Sequence, residues 1–167
     1  MVDQVEPDHV GRVMAQWRRE RPDLDVSPQG VIGRLHRVAA RLTEELVAVY
    51  GRYGLGEGEF DVLATLRRAG APYELTPGEL VRWTMVSSGA VTKRVDRCVE
   101  QGWATRRVSE DDRRGRVIAL TPAGRDLIDR AFEEHIANEH RLVGMLDEPD
   151  RVRLAELLET WGRALDA

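Results

Sequence analysis

The chain has 167 residues and a formal net charge of −4, with 42% hydrophobic and 32% charged residues. This composition fits one helix-rich domain, and no apolar run approaches the roughly 20 residues of a membrane-spanning helix. A single cysteine excludes an intramolecular disulfide. The acidic N-terminus lacks the basic and apolar regions of a signal peptide, so we expect a cytoplasmic protein.

Two helices are predicted before the central part of the chain. Apolar residues at i, i+3, i+4 and i+7 predict an amphipathic helix over 8–20, which Pro22 ends. Ser27 and Pro28 open a long second helix that runs to about Tyr53. Its apolar stripe is longer than the core of one small domain requires. The stripe consists of Val31, Leu35, Val38, Leu42, Leu46 and Val49.

A third and a fourth helix follow. Apolar spacing from Phe60 onward predicts a helix that ends at Gly70. The segment from Thr76 to Glu79 has the form of a capping box, in which the threonine hydroxyl and the glutamate carboxylate each accept from the other residue's amide. This box begins a short helix over roughly 77–83.

The fifth predicted helix comes after a tight turn at 84–86. Ser87 or Ser88 caps it, and Gly102 ends it. Helical spacing places four residues on its inward face, namely Val91, Val95, Cys98 and Val99. The outward face carries Thr92, Lys93, Asp96 and Arg97. A short helix, a tight turn and a second helix form a helix-turn-helix pattern.

Two short strands, 103–108 and 116–120, are predicted after the helix-turn-helix, and the polar segment 109–115 between them is predicted to form the tip of a hairpin. A very short strand at 73–75 is expected to join them. Thr121 and Pro122 then open a long helix whose apolar positions run to Met145, and Pro149 starts the last helix. The predicted fold is therefore mainly α with a small β wing (α+β), a winged helix-turn-helix flanked by long helices.

The apolar stripes at both ends of the chain need a further surface to cover them. A symmetric dimer in which terminal helices of two subunits pack together is the economical solution; a monomer with a wide helical core is the alternative. We therefore predict one domain over 1–167. Within it, 1–53 and 121–167 provide dimerisation helices, 1–53 also provides part of a ligand pocket, and 54–120 forms the DNA-binding unit.

Four pieces of this sequence resemble the DNA-binding region of the MarR (multiple-antibiotic-resistance-regulator) family of bacterial winged-helix transcription factors. The pieces are LTPGEL, SSGAVTKRVDR, the Asp112-x-Arg114 pair of the hairpin tip, and VIALTPAG. Their order and spacing are specific, whereas the helical flanks match more loosely. The resemblance implies a homodimer whose recognition helices lie about one DNA turn apart, near 34 Å, on a pseudo-palindromic operator.

By this resemblance, the helix over 87–101 reads the major groove and the wing tip enters the minor groove. The net charge of +3 over 77–120, against −7 for the rest of the chain, supports a nucleic-acid surface in an acidic protein. The expected DNA contacts are Ser87, Ser88, Thr92, Lys93, Arg97, Arg113, Arg114 and Arg116. As in the family, Asp112 is expected to hold Arg114 by a salt bridge. Capping and a solvated helix face are the alternative roles of the helical residues.

Four further residues suggest an effector site. Two arginines can grip a planar anion bidentately, a tryptophan can stack on it, and an aspartate can orient one guanidinium. The four residues, Trp17, Asp61, Arg94 and Arg106, resemble the pocket of the urate-responsive subgroup of the family. The resemblance implies urate as effector, although a tricarboxylate such as citrate or aconitate would satisfy the same arginines. Alternatively, the arginines serve phosphates, the aspartate is solvated and the tryptophan is packed.

The prediction is thus a DNA-binding transcriptional regulator, taken as a repressor, that a small organic anion releases from its operator. The sequence does not distinguish a repressor from an activator. A winged-helix module that binds proteins and has no effector is the alternative function. The chain shows no glycine-rich phosphate loop, nucleophile elbow or carboxylate dyad, so we expect neither an enzyme nor a cofactor other than the effector.

Two other kinds of site are disfavoured. The four histidines lack metal-ligand spacing, so no metal site is expected. Cys98 lies on the inward face of its helix, where a small buried hydrophobe is the usual role of cysteine, and redox sensing is the disfavoured alternative.

Overall fold

The computed structural model describes residues 6–84, 88–108 and 116–166, with the side chains of 88–90 left out. The described elements are α1 (His9–Glu20), α2 (Gln29–Gly51), α3 (Glu57–Arg68), β1 (Glu74–Leu75), α4 (Pro77–Trp83), α5 (Ser88–Glu100), β2 (Ala104–Val108), β3 (Arg116–Leu120), α6 (Pro122–Val143) and α7 (Glu148–Leu165). The chain divides into two compact units, Met1–Glu45 and Leu46–Ala167. The predicted functional division into 1–53, 54–120 and 121–167 stays a prediction.

In the N-terminal unit, α1 packs closely on α2 because two glycines leave room for its apolar side chains. A Cβ at Gly33 would lie 3.2 Å from Val10 Cγ1, and one at Gly30 would lie 3.6 Å from the sulfur of Met14. Both α1 side chains are buried. The close approach of the two helices therefore depends on small residues in α2.

The start of α1 is also fixed by charge. The Asp8 carboxylate accepts from the Gly11 amide at 2.8 Å and pairs with Arg34 on α2 at 2.9 Å. The Arg34 guanidinium, and secondarily the amide of Gly11, hold the pKa of Asp8 below its usual range. One side chain thus caps α1 and joins it to α2.

The core of the larger unit is built around α3. Eight of the twelve residues of this helix are buried, and Val62, Leu63 and Leu66 are fully inaccessible. It packs against α4, α5, α6 and the sheet. At one end of this core, the ring of Tyr50 stacks on that of Phe60 with centroids 3.9 Å apart. A helix buried on nearly every side fixes the positions of its neighbours.

The wing is a three-stranded antiparallel sheet in the order β1-β3-β2. Glu74 of β1 and Arg107 of β2 reach across β3 and form an ion pair. The preceding residue, Tyr73, has a positive φ of 62°. Two backbone hydrogen bonds hold this residue, since its amide donates to the Gly70 carbonyl and its carbonyl accepts from the Leu120 amide.

The ring of Tyr73 is held as well. Guanidinium carbons of Arg67 on α3 and Arg125 on α6 lie 5.0 and 5.3 Å from its centroid. Cation–π contacts of this kind favour one orientation of the ring. The base of the wing is therefore attached to α3 and α6 together.

The junction between β2 and α6 leaves no room for a side chain. Thr121 caps α6 by accepting from the Gly124 amide, while its own amide donates to the Trp103 carbonyl at 3.1 Å. A Cβ at Gly124 would lie 1.9 Å from that same carbonyl oxygen. Glycine is therefore required here by close backbone approach.

The predicted fold class is confirmed, and the predicted helices and strands are all found. The helix predicted over roughly 77–83 has those bounds, with Thr76 and Glu79 forming both hydrogen bonds of the capping box. Gly102, at a φ of 73°, follows α5 as expected. The long helix that was predicted to carry Met145 is shorter than expected: α6 ends at Val143, and the methionine beyond it is 73% exposed.

Helix α7 differs from the other long helix of the larger unit. None of its residues, all of which the structure describes, is buried, whereas α6 buries Ile128 and Ala131 completely. Within the described residues, no helix is long and apolar enough to cross a membrane.

The junction at Gly124 generates a first prediction. Gly124→Ala should lower the free energy of unfolding by about 2 kcal/mol, because the added carbon must push a backbone carbonyl aside. Urea unfolding followed by circular dichroism measures this.

Gly78→Ala is the matched control. A Cβ at Gly78 meets nothing within 4 Å, so alanine there should stabilise α4 by about 0.5–1 kcal/mol. Equal effects of the two substitutions would contradict the steric account of Gly124.

Candidate nucleic-acid interface and ligand site

Helix α5 has one buried face and one exposed, positively charged face. Val91, Val95 and Cys98 are at most 3% exposed and pack into the core. Thr92, Lys93 and Arg97 are exposed and lie on the opposite side. The buried face is the one that the sequence predicted. The helix therefore offers hydroxyl, ammonium and guanidinium donors to a partner outside the core.

Several expected DNA contacts lie outside the described residues. These are Ser87 and, on the wing tip, Asp112, Arg113 and Arg114. Ser88 is the first residue of α5, and its side chain is not described. Arg116 is exposed at the start of β3, where it pairs in register with Val108. The roles assigned to these residues stay predictions.

Arg106 has an acidic partner that the sequence analysis did not assign. Its guanidinium lies 2.5 Å from the Asp96 carboxylate on α5, and both side chains are roughly half exposed. Asp96 was expected only to face outward. The pair joins β2 to α5, and an exposed pair of this kind contributes little stability by itself. It leaves Arg106 accessible to a competing anion.

Arg94 is held against the N-terminal end of α3. A Cβ at Gly58 would lie 2.1 Å from Arg94 Nε and 2.4 Å from its Cδ, so the guanidinium stem lies directly on the glycine. The Nη1 atom is buried and has no hydrogen-bond partner among the described residues. A buried guanidinium nitrogen without an acceptor is costly. Arg94 is therefore prepared to donate to a ligand.

A charged cleft of about 430 Å³ adjoins Arg94. Its lining residues are Glu59, Lys93, Arg94, Asp96, Arg97 and Glu100. Glu59 is only 8% exposed, accepts from the Gly56 amide at 2.9 Å, and lies 3.8 Å from Arg97. The sequence analysis missed Glu59; a glutamate three residues after Gly56, at the start of a helix, was the available signal.

The other two predicted ligand residues lie apart in the chain. Asp61 is partly buried on α3. Its negative charge acts on a neighbouring group of the core: burial raises the pKa of Tyr50 to about 12, and the charges of Glu139, Glu57 and Asp61 add to this shift. Trp17 belongs to the N-terminal unit and is 46% exposed on α1. The grouping of all four residues around one ligand stays a prediction.

Cys98 lies in a strongly apolar environment. It is fully inaccessible, and burial raises the pKa of its thiol to about 12, with a smaller effect from the Glu59 carboxylate. Because the thiolate is the reactive form, this environment opposes redox chemistry. Within 6–84, 88–108 and 116–166, no group of three or more potential metal-ligating side chains occurs.

Comparison with known proteins decides the family. A sequence profile of the MarR family matches residues 53–115. Over 149 residues, the chain is 44% identical to the HTH-type transcriptional regulator PecS of Dickeya dadantii, covering 89% of this chain and 90% of PecS. The chain belongs to the MarR family. It is a DNA-binding transcriptional regulator and not an enzyme.

Solved structures support the winged-helix fold of this MarR-family protein. Sco3205 of Streptomyces coelicolor, a MarR-family regulator solved in complex with DNA, is similar at a TM-score of 0.76 and 21% identity, over 86% of this chain and 91% of that one. Bordetella bronchiseptica BpsR, studied for regulation of its DNA binding by 6-hydroxynicotinic acid, is similar at a TM-score of 0.70 and 23% identity, over 79% and 92%.

The exposed face of α5 generates a second prediction. Lys93→Ala should weaken binding to operator DNA and make the slope of log affinity against log salt shallower by about one unit per protomer, because one phosphate contact is lost. Fluorescence anisotropy at several salt concentrations measures both quantities.

Arg41→Ala is the control, since Arg41 is exposed on α2 and pairs with Glu44. This variant should keep the affinity and the slope of the unmodified protein. An unchanged slope for Lys93→Ala would remove Lys93 from the interface.

Proposed function

We propose that this MarR-family regulator is a homodimeric repressor that binds a pseudo-palindromic operator and is released by a small organic anion such as urate. The effector part rests on the environment of the Arg94 guanidinium. Its buried Nη1 lacks a partner among the described residues, beside a charged cleft of about 430 Å³ on the recognition helix. An anion supplies the acceptor that this guanidinium lacks.

The arrangement supports a simple route of release. Arg94 belongs to α5, and Arg106 is joined to α5 through Asp96. An anion that binds both arginines competes with the Asp96 carboxylate and acts directly on the helix that reads DNA. Coupling between two such sites is typically about 1–3 kcal/mol, or roughly 5- to 150-fold in affinity. The fold relative BpsR, whose DNA binding is regulated by 6-hydroxynicotinic acid, supports regulation by a small ring compound.

The dimer is supported by apolar surface that the single chain leaves exposed. On α7, Leu154, Leu157 and Leu158 fall at i, i+3 and i+4, and each is more than 40% exposed. On α2, residues of the predicted stripe such as Val31 and Val38 are more than half exposed. Aligned apolar stripes of this length mark an association surface. A second copy of the chain is the occupant that two-fold symmetry favours.

Substitution on α7 tests the dimer. Leu157→Glu should shift the protein from dimer to monomer in analytical ultracentrifugation, because a charge would be buried in the subunit interface. Operator affinity should fall by at least about tenfold with it, since a monomer reads one half-site.

Arg163→Glu places the same residue on the opposite face of α7, where Arg163 is exposed and pairs only with Glu159 among the described residues. This control should remain dimeric. A Leu157→Glu protein that also stays dimeric would contradict the proposed role of the stripe.

Substitutions beside the cleft, at Arg106, which pairs with the lining residue Asp96, and at Gly58, on which Arg94 lies, test the effector part. Arg106→Ala should remove release by urate while leaving affinity for the operator within about threefold. Gly58→Ala should do the same without removing any charge, because its Cβ displaces the Arg94 side chain. Operator mobility shifts with increasing urate, and in parallel with citrate, measure the response.

Gly51→Ala is the glycine control, because a Cβ there meets nothing within 4 Å. It should respond like the unmodified protein. Release by urate that survives both Arg106→Ala and Gly58→Ala would exclude this cleft. Release by citrate alone would keep the cleft and replace urate with a tricarboxylate.

A further inference from the structure

Arg68, the last residue of α3, is bonded to the backbone at the end of α4. Its guanidinium donates to the carbonyl of Trp83, the last residue of that helix. Arg68 is neither one of the expected DNA contacts nor a lining residue of the cleft beside Arg94. The bond therefore belongs to no function assigned above, although it lies one turn of chain before α5.

Helix α4 is short and packs into the core through one fully buried side chain. Leu80 is its only buried residue, and the structure describes all seven. Beyond the helix, the amide and the hydroxyl of Thr84 bond to the carbonyls of Leu80 and Val81 at 2.9 and 3.3 Å. Both bonds lie within one turn of chain and join α4 to no other element. The bond from Arg68 does, and a hydrogen bond is directional where apolar packing is not.

The donor stands on the most rigidly held helix of this unit. Leu66, two residues before Arg68, is fully inaccessible. The same helix holds α5, whose Val91 and Val95 are 3% and 1% exposed. Helix α3 thus fixes α5 by apolar packing and the end of α4 by a charged donor. The last carbonyls of a helix lack intrahelical partners and carry partial negative charge, so a guanidinium is well suited to this position.

We propose that Arg68 is a positioning residue for base-specific DNA recognition. It fixes the end of α4, and through it the point at which the chain enters α5, without touching DNA itself. Base edges are read by directional hydrogen bonds, whereas attraction to phosphates depends mainly on charge. Loss of the Arg68 bond should therefore reduce sequence discrimination more than it reduces binding to DNA in general.

Arg68→Met tests the proposal, because it keeps the aliphatic stem and removes the donor. Two probes are compared: a duplex that the unmodified protein selects from a random-sequence pool, and a shuffled duplex of the same composition. Affinity for the selected duplex should fall by about tenfold, since a bond from a charged donor is lost. Affinity for the shuffled duplex should stay within about threefold, and the slope of log affinity against log salt should not change on either duplex. Fluorescence anisotropy measures all four quantities.

Two further variants separate the bond from the charge. Arg68→Lys retains a charged donor on a long side chain and should restore most of the discrimination. Arg130→Met removes the same charge from α6, where Arg130 donates to the Asp126 carbonyl of its own helix at 3.2 Å. This control should discriminate between the two duplexes as well as the unmodified protein does.

Melting temperatures separate loss of positioning from loss of the fold. Arg68 is exposed, so Arg68→Met should melt within about 3 °C of the unmodified protein, and binding is measured where circular dichroism shows each variant folded. Unchanged discrimination in folded Arg68→Met, or equal losses on both duplexes, would overturn the proposal. A salt slope shallower by about one unit per protomer would overturn it as well, because Arg68 would then be a phosphate contact. So would an Arg68→Lys protein that discriminates no better than Arg68→Met.

Discussion

The burial of α3 is the constraint on which the rest of the larger unit depends. Because this helix is enclosed on nearly every side, the elements that pack on it have little freedom in position. Helix α5 must turn Val91, Val95 and Cys98 toward α3, and its hydroxyl and cationic side chains consequently face outward. The same packing brings Arg94 onto Gly58 at the start of α3. The exposed cationic face of α5 and the cleft beside Arg94 thus both follow from the position of one core helix.

A second theme is the pairing of cationic side chains with nearby carboxylates. Arg106 pairs with Asp96, Arg97 approaches Glu59, and Arg107 crosses the sheet to Glu74. A protein with a net charge of −4 can bind a polyanion because residues 77–120 carry a net charge of +3. Of the three pairs, the Arg106–Asp96 pair has both side chains roughly half exposed. An exposed pair of this kind is weak, so an external anion can replace its carboxylate at modest cost.

Local signals were read correctly from the sequence, and contacts set by tertiary packing were not. The start of α4 follows from Thr76, Pro77 and Glu79, whose interactions lie within one helical turn. Arg106 on β2 and Asp96 on α5 lie on separate elements, and their pairing depends on how β2 packs beside α5. Gly58 carried no signal of its contact with Arg94, because a glycine inside a helix does not reveal which side chain lies over it.

The contact between Gly124 and the Trp103 carbonyl has a consequence for motion. The backbone of Trp103, just before β2, is in van der Waals contact with the start of α6. The Thr121 hydroxyl donates a hydrogen bond to the Trp103 carbonyl at the same point. Two segments joined this tightly cannot tilt independently without breaking those bonds. The backbone at Trp103 and the first turn of α6 must therefore move together. A displacement of the backbone that leads into β2 is therefore passed directly to the first turn of α6.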